Sequence, residues 1–373
     1  MNRKIECGRV EKRSPGIALG QRSCPGMFVY KKTGWYRFQG NWRPASSAGG
    51  FEASVRSRGR VLGRMHVDRI GVDESVSVVF PPERLADALA DAPVDVVGVD
   101  GSGASLDGCD GVVTLETRET FLDLKWVHSI QAGVDRFPHD RFRDRGVVLT
   151  NSTGIHGDAV GETVAGFVLA LARRLHEHVD SQGDREWDRP AWDDAWTVAG
   201  EQATVVGLGG LGRGVVDRLT GLGMDVVGVR RTPTPEPRVE RVYTPAAIEE
   251  AVADTRFVVL AVPLTDDTRG LVDASVFDAM CDDAYLVNVA RGGVADQAAL
   301  VDALRAESIA GAALDVFETE PLPEDSPLWG MDDVIVSPHC AAYTRDYYRH
   351  VATILRESLD RIDAGEDPVN RVL

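Results

Sequence analysis

The sequence predicts an α/β protein of two domains, each built on a parallel sheet covered by helices. Three observations carry this. Short apolar runs alternate with helical stretches in two successive sets, one on each side of a long helical segment. The 373 residues are enough for two cores, and 43% of them are hydrophobic. A glycine-rich turn, Gly207-Leu208-Gly209-Gly210-Leu211-Gly212, opens the second set directly after an apolar run.

In the first set, strands are expected at 67–72, 94–100, 111–116, 125–130 and 146–150, with a helix over 83–92. One long helix is expected from about Asp158 to Val179, because Val160, Val164, Phe167, Val168, Leu171 and Leu175 fall near helical spacing. A stretch with Trp187, Trp192 and Trp196 follows without a clear period. It reads either as an arm against a second subunit or as a loop packed on its own domain. The second set places strands at 202–207, 224–230, 256–262, 284–289, 309–316 and 333–338. The tail, about Tyr343 to Ile362, reads as an amphipathic helix returning to the first domain.

Charge divides the chain sharply. Residues 1–64 hold 14 basic and 3 acidic residues, whereas the remainder holds 27 and 55. Lys125 is the one lysine after Met65. An acidic, lysine-poor body suits concentrated salt, where carboxylates hold water and cations and screening weakens their repulsion. It resembles haloarchaeal proteins. The basic leader, 1–65, reads as disordered or as upstream sequence with the true start at Met65; a nucleic-acid arm is the third reading. No run is long and apolar enough for a membrane span. Cys7, Cys24, Cys109, Cys281 and Cys340 have no metal-type spacing, which fits a reducing cytoplasm.

Gly207, Gly209 and Gly212 permit a tight turn, close approach of backbone to a pyrophosphate, and close helix–strand packing. The helix that follows offers amides to phosphate. The end of the next strand, where a dinucleotide's ribose is usually met by Asp or Glu, holds Arg230, Arg231 and Thr232 instead. Two guanidinium groups and a hydroxyl suit a 2′-phosphate, so NADP(H) is expected over NAD(H).

The segments VNVARGG (287–293), LDVFETEPLP (314–323) and SPHCA (337–341) are similar, in order and spacing, to the signature blocks of D-2-hydroxyacid dehydrogenases. SIQAGVD (129–135), VPLTDDTRG (262–270) and the terminal PVNRVL also resemble family elements, and the resemblance covers about 66–373. It implies a Rossmann cofactor domain at 158–341 and a smaller flavodoxin-like substrate domain from 66–157 and 342–373. Both are doubly wound parallel sheets, and a dimer is implied. It adds Val262, Pro263, Thr268, Val289 and Ala290 to the cofactor site with Gly210, Leu211 and His339, and sets Asp315 near the nicotinamide amide. Otherwise Asp315 is a structural aspartate.

Reduction of a 2-keto acid to a D-2-hydroxy acid needs a cation on the carboxylate, a proton for the alkoxide and a hydride. Arg291 suits the first with its planar fork. His339 suits the second, and Glu320 would hold its ring and favour its protonated form. NADPH supplies the third. Ala132 and Gly133 would give amides to the substrate carboxylate, and Glu116 and Thr117 would line the cleft. His156 either approaches the cleft or caps a helix. His176 and His178 read as a solvated face without zinc, and Cys340 as a neutral thiol.

Formate oxidation is disfavoured, because formate dehydrogenases carry Gln where Glu320 stands. Phosphoglycerate dehydrogenases often carry a further regulatory domain. Phosphite or glyoxylate-type chemistry stays open within the family, and a nucleotide-sensing co-repressor stays open outside it. The expected partners are a small 2-keto or 2-hydroxy acid and a second copy of the chain, with no metal, nucleic acid or membrane.

Overall fold

The computed structural model describes residues 65–100 and 106–373, so the expectations for the basic leader, with Cys7 and Cys24, lie outside the described residues. Two all-parallel sheets organise the rest. The first contains β1 (Arg69–Asp73), β2 (Asp95–Val99), β3 (Gly111–Thr114), β4 (Trp126–Ser129) and β5 (Val148–Asn151), in the order β2-β1-β3-β4-β5. That is the flavodoxin order. The second contains β6 (Gln202–Val206), β7 (Asp225–Val229), β8 (Val242–Tyr243), β9 (Phe257–Leu260), β10 (Tyr285–Asn288), β11 (Gly311–Leu314) and β12 (Val334–Val336). Its order is β12-β11-β10-β9-β6-β7-β8, the dinucleotide-binding order with one more strand at the end. Both strand orders reverse beside their first strand, which is where such sheets bind ligands.

Period-two alternation explains how the larger sheet is covered on both faces. In β9, Val258 and Leu260 join one core with Val206, Leu286 and Leu314. Phe257 and Val259 join another with Val205, Val287 and Ala313. The tail helix, Tyr347–Asp363, lays Val351, Leu355, Leu359 and Ile362 against Ile70, Val72 and Trp126 of the smaller sheet. Each such buried aliphatic side chain contributes about 2 kcal/mol before entropy is counted.

Four expectations need correction. β8 is a two-residue strand, too short for periodicity to reveal. The expected helix over 83–92 ends at Ala88, with Pro93 close ahead. The tail helix starts at Tyr347, because 340–346 turn before it. The long helix from Asp158 to Val179 is two helices, Gly157–Ala172 and Leu175–Asp184. Arg174 breaks it in a left-handed conformation (φ 53°) with its guanidinium bonded to Glu177 and to Asp333. The freed carbonyl of Ala172 accepts the amide of Trp196 at 3.0 Å.

The tryptophan stretch divides. Trp196 packs at home, stacked on Tyr285 at 5.8 Å and under Arg256 at 4.4 Å. Trp187 and Trp192 are 92% and 93% exposed. Glycines bring the helix Gly157–Ala172 onto the helix Gly210–Gly221 that follows the glycine-rich turn. A Cβ at Gly161 would lie 2.4 Å from the carbonyl oxygen of Gly214, and one at Gly214 would lie 1.9 Å from that of Gly157.

Candidate active site

Three strand ends of the larger sheet deliver three side chains to one place. β10 runs into Arg291, whose backbone is held by Asn288: the Asn288 amide donates to the Arg291 carbonyl at 3.2 Å and its oxygen accepts from Ala290 at 3.1 Å. The Arg291 guanidinium donates to the Ala290 carbonyl at 2.7 Å and reaches Asp135, beyond β4 of the other sheet, at 3.4 Å. It lies against Gly133, where a Cβ would fall 1.7 Å from Nη2.

His339 follows β12 in the left-handed region, at φ 51°. A non-glycine residue there costs about 1–3 kcal/mol and persists only where its surroundings fix it. Asp315, just past β11, does the fixing. Its carbonyl accepts the His339 amide at 2.8 Å. Its carboxylate accepts Ser337 Oγ at 2.5 Å and the amides of Cys340 and Ala341 at 2.9 Å each. The aspartate therefore builds the loop that carries the histidine, and it also lines the small cavity described below.

His339 Nδ1 meets Glu320 Oε2 at 2.7 Å, and Glu320 Oε1 accepts the amide of Phe317 at 3.1 Å. Burial pushes the Glu320 pKa up, but the hydrogen bonds from His339 and Phe317 and the nearby charges outweigh it, and the net direction is down. An ionised Glu320 accepts a hydrogen bond from Nδ1–H and leaves Nε2 available to carry the proton that faces the cleft.

Arg291 and His339 line two adjoining cavities. The larger, about 590 Å³, also meets Arg136, Arg269 and Glu320. The smaller, about 70 Å³, is bounded by Ala132 and Gly133 on one side and by Leu211 and Val289 on the other. The structure thus brings Ala132, Gly133, Arg291, Glu320, His339, Asp315, Leu211 and Val289 together. Glu116 and Thr117 lie past β3 and line neither cavity.

At the nucleotide turn, Gly207 has φ 100° and approaches the Ala261 carbonyl so closely that a Cβ would sit 2.5 Å from it. Gly212 lies on the Gly207 carbonyl in the same way, at 1.7 Å. Around Gly209 a Cβ would meet nothing within 4 Å, which leaves the backbone open to a phosphate. The helix begins at Gly210, so its first-turn amides have no partner within the helix. Across from it, Thr268 Oγ1 donates to the Pro263 carbonyl at 2.6 Å, which shapes the loop after Val262. These residues fit a pyrophosphate.

Arg230 leaves β7 with its donors engaged: Nε to the Thr232 carbonyl at 2.8 Å, Nη1 to Glu236 at 2.9 Å, and Nη2 to Thr234. Glu236 also takes Arg213 at 2.8 and 3.2 Å. Sequence reasoning missed both Arg213 and Glu236. A basic residue directly after Gly212 was the available signal for the first; the second lies in an irregular loop and had none.

His156 caps nothing: its side chain makes no cap hydrogen bond. Its Nε2 meets the Tyr347 hydroxyl at 2.6 Å, and that hydroxyl donates to the Ile130 carbonyl at 2.7 Å. Burial, then the charge of Arg291, lowers its pKa to about 4, so it is neutral beside the small cavity. Burial and Asp315 raise the Cys340 thiol, which stays protonated. His176, Glu177 and Asp333 converge, but Arg174 already bonds both carboxylates. No helix of the described residues is long and apolar enough to cross a membrane.

Residues 165–341 match the family model for the NAD binding domain of D-isomer specific 2-hydroxyacid dehydrogenases. The chain is 32% identical over 282 residues to a glyoxylate reductase of Korarchaeum cryptofilum, covering 71% of this chain and 82% of that one. It is 32% identical over 318 residues to a D-3-phosphoglycerate dehydrogenase of Methanocaldococcus jannaschii, covering 82% of this chain but spanning only 57% of that protein's length. A D-isomer specific 2-hydroxyacid dehydrogenase of Xanthobacter autotrophicus Py2, solved with NADPH and MES, superposes with a TM-score of 0.69 at 32% identity, over 83% of this chain and 98% of that one.

Proposed function

The chain belongs to the D-isomer specific 2-hydroxyacid dehydrogenase family, and from that premise we propose that it reduces small 2-keto acids to D-2-hydroxy acids, with NADPH preferred. The observation that carries the reading is the convergence of Arg291 and a His339–Glu320 pair on one cleft beside the nucleotide turn.

Arg291 binds the substrate carboxylate and polarises the keto oxygen, assisted by the amides at Ala132 and Gly133. Its contact with Asp135 leaves the guanidinium tethered to both sheets. His339 gives its Nε2 proton to the developing alkoxide, while Glu320 fixes the ring through Nδ1 and stabilises the imidazolium. Bound NADPH supplies the hydride. The glycine turn and the helix from Gly210 would hold its pyrophosphate, with Val262, Pro263, Thr268, Val289 and Ala290 along its length. Arg230, Arg231 and Thr232 would meet a 2′-phosphate. Two relatives of this fold, the Xanthobacter enzyme and a Sinorhizobium meliloti glyoxylate/hydroxypyruvate reductase at 26% identity, were solved with NADPH or NADP, which supports this preference.

Residues 66–157 with 342–373, and 158–341, act as two domains that close on the cleft. The exposed Trp187 and Trp192 favour a homodimer contact, and the acidic, lysine-poor body favours work in high salt in the cytoplasm. The test of the catalytic assignment is His339→Ala. Turnover should fall by about 10²- to 10⁴-fold with NADPH binding kept. Unchanged turnover removes His339 as the acid.

A further inference from the structure

Of the two arginines assigned to the 2′-phosphate, Arg230 is not free to grip one. Glu236 takes Nε and Nη2 of Arg213 together, at 2.8 and 3.2 Å, and Nη1 of Arg230 at 2.9 Å. The remaining donor edges of Arg230 go to the Thr232 carbonyl and the Thr234 hydroxyl. Arg230 is one residue past β7, and Arg213 is one residue past the last glycine of the turn. The carboxylate therefore lies between the strand end and the helix start. Its side chain is only 11% exposed. A carboxylate bonded by the fork of one guanidinium and one donor of another offers these arginines the negative charge and acceptor oxygens that a phosphate would offer.

We propose that Glu236 occupies the 2′-phosphate position of the cofactor site as an internal anion, and that it sets how strongly the protein favours NADPH over NADH. This rests on the reading of Arg230 as a 2′-phosphate ligand. Binding of a 2′-phosphate requires Glu236 to give up Arg213 and Arg230. The loop between β7 and β8 carries Glu236 outside regular secondary structure, so this exchange leaves the sheet intact. NADH, without a 2′-phosphate, leaves the three groups as they are. Glu236 thus lowers NADPH affinity while keeping the two arginines ordered for it.

The test uses the purified full-length protein and two probes, adenosine 2′,5′-bisphosphate and adenosine 5′-monophosphate, titrated by calorimetry. Glu236→Gln should tighten the bisphosphate by about tenfold, the effect expected of removing one close competing charge, and leave the monophosphate within about twofold. Glu236→Ala should do the same if the near-isosteric glutamine keeps part of the contact. Equal or weaker bisphosphate binding in both variants overturns the proposal. Weaker monophosphate binding also overturns it, since Glu236 would then be holding ribose hydroxyls. Arg230→Ala separates the underlying reading: the wild-type bisphosphate advantage should shrink in it. If that advantage persists, the 2′-phosphate site itself is misassigned, whatever the Glu236 variants show.

Discussion

Replacing Gly133 by alanine tests whether Arg291 works from the position the fold gives it. The new Cβ would fall 1.7 Å from Arg291 Nη2 and 2.8 Å from Cζ, whereas ordinary contacts begin near 3.4 Å. The Nη2 end must therefore retreat by about 1.7 Å to restore an ordinary contact of 3.4 Å. The obstacle is the far end of a flexible side chain, so the fold should absorb the change with little loss of stability. Catalysis should not absorb it. A displacement of about 1 Å can cost roughly 10²-fold, so kcat/KM for a small keto acid such as glyoxylate should fall at least about 100-fold, or about 2.7 kcal/mol. The assay is initial-rate NADPH oxidation, with the melting temperature and NADPH affinity measured alongside. A Gly133→Ala protein that is folded and within about threefold of wild-type activity would refute the placement of Arg291 against this backbone.

Two stability predictions follow from buried groups. His128 is fully buried between Thr150 and Ser152, and burial lowers its pKa to about 3. It stays neutral in the fold, while the unfolded chain protonates it below about pH 6.5. Stability should thus fall as pH drops from about 6.5 towards 3, by up to about 1.4 kcal/mol per unit, and His128→Gln should make that acid limb shallower in denaturant titrations. An unchanged slope would contradict the buried neutral state. Gly161→Val would force its Cβ into the Gly214 carbonyl and part the two helices, at a cost of about 3 kcal/mol. The thermal midpoint reads it directly, and an unchanged value would mean the helices are not in this contact.

Much of this was legible because chemistry and periodicity coincide along the chain. The glycine turn follows an apolar strand and was readable from residue type and spacing, whereas Arg291, Glu320 and His339 were pointed out by the resemblance of their segments to family signature blocks. What escaped depends on contacts made across the fold. Asp135 meets Arg291 from 156 residues away, and Tyr347 meets His156 from 191 away. No local pattern encodes such pairs. Asp315 was singled out by the resemblance as a residue near the nicotinamide amide or else a structural aspartate, but its task of fixing a left-handed histidine appears only once β11 and β12 lie side by side. The break at Arg174 escaped for a related reason: its tether, Asp333, belongs to a different part of the chain and overrides local helix propensity. The close approach of the glycines at 157 and 161 to those at 210 and 214 also escaped, because it exists only where the two helices meet.

The central claim is best tested by following NADPH oxidation by the purified protein in concentrated KCl against 2-keto acids of graded size, with NADH in parallel. Turnover on small keto acids, faster with NADPH, is the predicted result. Folded protein that binds NADPH yet turns over no keto acid would contradict the assignment of Arg291 and the His339–Glu320 pair to this reaction.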